Sequence, residues 1–165
     1  MTWLLQHRNG EIYHAQFHRL ARADLHQMQK SKGWTRGFNC GEYLDRTDVQ
    51  TYKLVVCGDT EIQGCIAFVN DGDFAFVELI EKAPNNRKPQ EQFLNITGVM
   101  FAFSSKTVID HGGLGYLCFE PKTGLAIHYE RTYNAKFYNP RLNLMTILEV
   151  DAKRLITLYY SQKEG

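Results

Sequence analysis

Polar and apolar positions alternate along residues 11–18, with Tyr13, Ala15 and Phe17 on one side and Ile12, His14, Gln16 and His18 on the other. That is the period-two signature of a strand. Over 21–32 the period lengthens: Ala21, Leu25 and Met28 recur at helical spacing, Asp24 stands near the start, and Gly33 follows as a stop signal. A short amphipathic helix is predicted there. Residues 34–51, with Gly37, Asn39, Gly41 and Asp45 among isolated aromatics, read as an irregular connection. Strands over 52–57, 62–69 and 74–82 follow. The intervening Gly58-Asp59-Thr60-Glu61 and Asn70-Asp71-Gly72-Asp73 supply the turn chemistry that folds consecutive strands antiparallel.

Beyond Pro84 the chain is polar and Pro-interrupted, and the helical period returns over 95–111. There Ile96, Val99, Met100, Phe103 and Val108 form an apolar stripe, ended by Gly112-Gly113. A strand over 114–119, a helix over 124–134, strands over 137–139 and 142–150, and a helix from 151 to about 160 complete the pattern. This order predicts an α/β fold: a central mixed, mostly antiparallel sheet with helices on both faces.

With 165 residues, 44% of them hydrophobic, the chain suits one core and is short for two, so 1–165 is expected to be a single domain. Its 19 Lys and Arg balance 18 Asp and Glu, leaving no overall field to attract a polyanion. Arg19, Arg22, Lys30, Lys32 and Arg36 cluster near the first helix and read as a solvated face, so no nucleic-acid partner is expected. Cys40, Cys57, Cys65 and Cys118 are scattered without Cys-x-x-Cys spacing, and no metal site is expected. The start lacks the basic residues and sustained apolar run of a signal peptide, and no segment has the length of a membrane span. A cytoplasmic location and no membrane partner are therefore expected.

The run Glu78-Leu79-Ile80-Glu81-Lys82-Ala83-Pro84-Asn85-Asn86, the segment from Gln92 to Phe103, and Ala126-Ile127-His128-Tyr129-Glu130 together resemble the GNAT superfamily of acetyl-CoA-dependent N-acyltransferases. The resemblance spans about residues 50–150. It implies a three-layer αβα sandwich in which the strand over 74–82 splays from the strand over 114–119. Acetyl-CoA would lie in the gap as acyl donor, bonded to backbone at Ile80, Glu81 and Lys82. The superfamily's phosphate loop, Gln or Arg, two residues, Gly, one residue, Gly or Ala, corresponds here to Gln92-Phe93-Leu94-Asn95-Ile96-Thr97-Gly98, with Asn95 and Thr97 at the glycine positions. Either residue also suits a plain helix cap.

The same resemblance implies a carboxylate base on the donor strand, Glu78 first and Glu81 second, and Tyr129 as the acid that protonates the departing thiolate. A phenol is protonated at neutral pH and so can donate. By strict alternation Glu78 shares a face with Phe76 and Ile80, and Glu81 with Val77 and Leu79; a bulge would swap the assignments after it. The partners implied are an acyl-CoA and a small-molecule or protein amine, with Trp34, Phe38 and Tyr43 near the acceptor's approach. Phe137 and Tyr138 could support a homodimer. The second expectation, suggested by the missing loop glycines, is a degenerate GNAT-like module that binds a ligand or protein without turnover.

Overall fold

The computed structural model describes residues 1–35 and 40–163. Among the described residues nine strands form one sheet: β1 (Thr2–Gln6), β2 (Ile12–Arg19), β3 (Gln50–Val56), β4 (Ile62–Asn70), β5 (Phe74–Lys82), β6 (Tyr116–Phe119), β7 (Lys136–Asn139), β8 (Leu144–Ile147) and β9 (Tyr160–Ser161). Their spatial order is β7-β8-β6-β5-β4-β3-β2-β1-β9. Every neighbouring pair is antiparallel except β5 with β6. The parallel pair needs a crossover, which helix α2 (Ile96–Asp110) supplies. Three further helices are α1 (Cys40–Leu44), α3 (Ala126–Tyr133) and α4 (Glu149–Tyr159).

Alternation along the strands divides the core in two. Ala75, Val77, Ile66, Phe68, Leu117 and Ile147 face α2, α3 and α4 in the larger cluster. Leu20, Met28 and Trp34 pack on Val55, Ile62 and Cys65 from the opposite side, joined by Leu44 at the end of α1. The result is the expected three-layer αβα sandwich. Helix α2 buries more than the predicted stripe, because Phe101, Ala102, Ser104 and Ser105 are buried as well. It lies between the sheet and α4, so its outer face meets Ala152 and Leu155. Gly64 on β4 admits this approach: a side chain there would begin 2.8 Å from Ile96 Cγ2.

Several expectations change. Residues 21–32 form two 3-10 turns, Arg22–His26 and Lys30–Lys32, instead of one helix. Asp24 accepts from the Ala21 N–H at 2.8 Å and pairs with Lys53 at 2.7 Å, fastening the first turn locally and to β3. Strands β1 and β9 and helix α1 were not foreseen, and α4 starts at Glu149, ahead of the predicted 151. Phe38, proposed near the acceptor's approach, and Arg36 lie outside the described residues. Among the described residues no helix is long and apolar enough to cross a membrane.

Candidate active site

Strands β5 and β6 pair from Phe74↔Tyr116 to Val77↔Phe119. Beyond Val77, β5 runs on to Lys82 while β6 ends, so the two diverge and leave a gap. A chamber of about 60 Å³ lies at the point of divergence, lined by Glu78, Leu79, Ile80, Phe119, Lys122 and Tyr129 among others. A chamber of that scale holds a group of a few atoms; anything longer must lie along the open part of the gap.

The register against β4 explains how Glu78 reaches it. Phe68 pairs with Val77 and Ala67 with Leu79, so Glu78 is an extra, bulged residue. A bulge frees backbone from the ladder and reverses the alternation after it. Ile80 therefore joins Val77 in the cluster beneath α2, whereas Leu79 packs in the opposite cluster. The strict-alternation faces hold only up to Val77. The Glu78 carboxylate meets Arg46 in a two-point ion pair, at 2.6 and 3.1 Å. Arg46 also binds Asp48; these charge-assisted bonds raise its pKa further above the usual arginine range.

Glu81 has a different environment. It is 2% exposed, and its Oε1 accepts from the Thr35 N–H at 2.6 Å, the Thr35 hydroxyl at 2.7 Å and Arg87 Nη2 at 2.5 Å. Arg87 also donates to the Gly33 carbonyl at 2.9 Å. This carboxylate ties β5 to the segment that carries Trp34. Its second oxygen is buried without a partner among the described residues.

Tyr129 comes from α3, whose left-handed end at Asn134 has φ 55°. The ring is 5% exposed and packs edge-on to Phe119 at 5.1 Å and Phe101 at 6.2 Å. Burial raises the pKa of its hydroxyl, which keeps the proton in place well past neutrality. His128, one position earlier, is exposed and turns instead toward Thr132 at 3.3 Å. The gap thus brings Glu78, Ile80 and Tyr129 together, while Glu81 stands on the far face.

At the start of α2, Asn95 does not cap the helix with its side chain. Its Oδ1 accepts from the Gln6 N–H at 2.9 Å and its Nδ2 donates to the Leu4 carbonyl at 3.0 Å, so the amide is committed to β1. Gln92 is likewise engaged, by the Asn85 side chain. The first-turn amides of Ile96, Thr97 and Gly98 have no acceptor within the helix and point outward from its positive end. A side chain at Gly98 would begin 3.0 Å from Tyr159 of α4.

Around the mouth of the gap stand the cations Lys82, expected there for its backbone, and Lys122, which sequence reasoning passed over. Lys82 is partly buried and Lys122 exposed; desolvation by their surroundings is the first cause that lowers both pKa values. Arg87 lowers each further, and Glu91 and Glu81 respectively oppose the shift. They end or follow the two diverging strands. A basic residue just past both strand ends was the available signal, but it gained meaning only once those ends were adjacent.

The structure resembles solved acetyltransferases along nearly their whole length. AtaTR bound with AcCoA aligns with a TM-score of 0.60 at 8% identity, covering 86% of this chain and 98% of that one. The PaiA N-acetyltransferase from Thermoplasma acidophilum in complex with coenzyme A gives 0.58 at 9% identity, covering 81% and 98%. The chain has the GNAT fold. Nourseothricin acetyltransferase matches at 0.51 and 14% identity, covering 81% of this chain and 98% of that one. No protein-family model and no curated protein sequence matches. The GNAT fold is thus carried here by a sequence with little identity to those of its structural counterparts.

Proposed function

We propose that the chain is an N-acetyltransferase that moves an acetyl group from acetyl-CoA to an amine. The observation that supports this reading most is the bulge at Glu78, where β5 runs on past the end of β6 and Glu78 and Tyr129 line one chamber. In this reading the pantetheine arm lies along Ile80, Glu81 and Lys82 and bonds to their backbone. Lys82 and Lys122 meet the phosphates, together with the amides of Ile96, Thr97 and Gly98. Thr97 supplies a hydroxyl where the superfamily has a small residue. Gln92 and Asn95 shape the loop and hold it to β1 rather than donating their side chains to phosphate.

The amine must lose a proton before it attacks the thioester carbonyl carbon. Glu78, the catalytic base in this reading, takes that proton, directly or through one water, when the amine displaces Arg46 from it. Backbone N–H released by the bulge faces the carbonyl oxygen as it gains negative charge. As the carbon–sulfur bond breaks, Tyr129 passes its proton to the thiolate. Glu81 serves as a strut, since three donors already converge on one of its oxygens.

A second reading, a GNAT-fold module that binds acyl-CoA without turnover, draws support from the Arg46–Glu78 pair and the occupied Asn95 side chain. Calorimetric titration with acetyl-CoA, alongside Thr97→Arg to obstruct the loop, tests donor binding, and thiol release in the presence of an amine panel tests turnover. Binding lost in the variant together with amine-dependent thiol release supports the enzyme. Binding without release from any amine leaves the binding module, and absent binding overturns both.

A further inference from the structure

The layer formed by α1 and the 3-10 turns covers β3, β4 and part of β5, and among the described residues it leaves the same face of β6 and β8 open. A cavity of about 600 Å³ lies there, within the range of small-molecule sites. Phe74 and Tyr116 form its floor, their rings stacked at 5.0 Å and 14°. Leu114, Leu148 and Val150 make the walls and are 50%, 42% and 65% exposed, an unusual amount of apolar surface to leave in water at one place.

The rim carries charge of one sign. Asp71 and Asp73 precede Phe74 on an exposed turn, held beside Leu114 by the Gly115 N–H donating to the Asp73 carbonyl at 2.8 Å. Glu149 closes the other side, with only a loose 3.8 Å pair to Lys153. Among the described residues no Lys or Arg lines the cavity. Partial burial, and then Cys118, Asp73 and Asp71, raise the pKa of the Tyr116 hydroxyl.

We propose that this cavity binds a small organic cation with an aromatic or branched apolar body. The body rests on Phe74 and Tyr116 against Leu148, and the ammonium turns toward Asp71 and Asp73. Aromatic faces attract a cation through their quadrupole, and carboxylates add to it, whereas a neutral molecule of the same shape gains only the apolar contact. The cavity is separate from the strand gap: it lies where β5 and β6 are still paired, at Phe74↔Tyr116, ahead of their divergence at Val77↔Phe119.

Calorimetry with tryptamine, indole and indole propionate tests this on the full chain, without acetyl-CoA. Tryptamine is expected to bind saturably and about tenfold tighter than indole, with no binding of the anion. Leu114→Arg, at a half-exposed position, and the pair Asp71→Asn with Asp73→Asn are each expected to weaken tryptamine about tenfold while leaving acetyl-CoA binding unchanged. Equal affinity for indole and tryptamine, or tryptamine binding indifferent to Leu114→Arg, overturns the proposal. So does a dimer in sedimentation that Leu114→Arg dissociates, because the face would then belong to a second copy.

Discussion

Arg46 grips Glu78 at two points, Nη1 to Oε2 at 2.6 Å and Nη2 to Oε1 at 3.1 Å. The carboxylate proposed as base is therefore held at the lip of the gap by a cation that an incoming amine can replace. Glu78→Gln keeps the shape and removes the proton acceptor. It is expected to lower kcat about 100-fold with little change in acetyl-CoA affinity, measured by thiol release and calorimetry on the same preparation.

Burial raises the pKa values of Tyr129, Tyr133 and Tyr159. The protonated phenol is the neutral form, and the unfolded chain titrates near the ordinary value of about 10. The stability linked to these three groups is thus fully present below about pH 10 and is lost as pH rises through their higher folded values. Denaturant midpoints measured from about pH 8 to 11 are expected to hold level and then fall. Tyr129→Phe should reduce that decline as well as the turnover number, which separates its titration from a general alkaline effect.

Glu81→Ala removes the acceptor for three donors and leaves Arg87 beside a buried site. A loss of roughly 2–4 kcal/mol is expected, below the limit for a fully buried pair because Arg87 is partly solvated. Urea unfolding measures it. Were Glu81 the base instead of a strut, Glu81→Gln would abolish turnover at unchanged stability.

Lys122 follows β6 and lines the chamber. Lys122→Ala is expected to weaken acetyl-CoA binding several-fold, about 1 kcal/mol for one partly screened charge. It should also flatten the dependence of that affinity on salt, read from titrations at low and high ionic strength.

The order of strands and helices was legible from the turn residues between runs and from local alternation such as Tyr13, Ala15 and Phe17 against His14, Gln16 and His18, although Ile62–Asn70 and Ile96–Asp110 are buried on nearly every side. Strand β1 was not: Thr2, Trp3 and Leu5 are all buried, because α2 and α4 cover one face and β1 sits between two strands, so no alternation survives. The helix expected over 21–32 was too short to persist on propensity alone and gave way to local bonds from Asp24. At the site, the resemblance pointed to Glu78, Ile80 and Tyr129, which the gap brings together. The bulge at Glu78 depends on its register with β4, and the Glu81–Thr35 and Asn95–Leu4 bonds join residues 46 and 91 positions apart. Contacts of that kind leave no local trace.

Strand β9 pairs with β1 at Thr2↔Ser161 and Trp3↔Tyr160, and the Thr2 hydroxyl donates to the Lys163 carbonyl at 3.0 Å. In mechanical terms this is a clasp. The outermost strand at that side of the sheet is a two-residue piece delivered by α4, and α4 itself rests on α2. Tension applied between residues 1 and 163 would open this short ladder first, one pair at a time. The loosened α4 would then draw Tyr159 away from Gly98, so that pulling on the ends of the chain would slacken the loop at the start of α2 before the central strands felt the load.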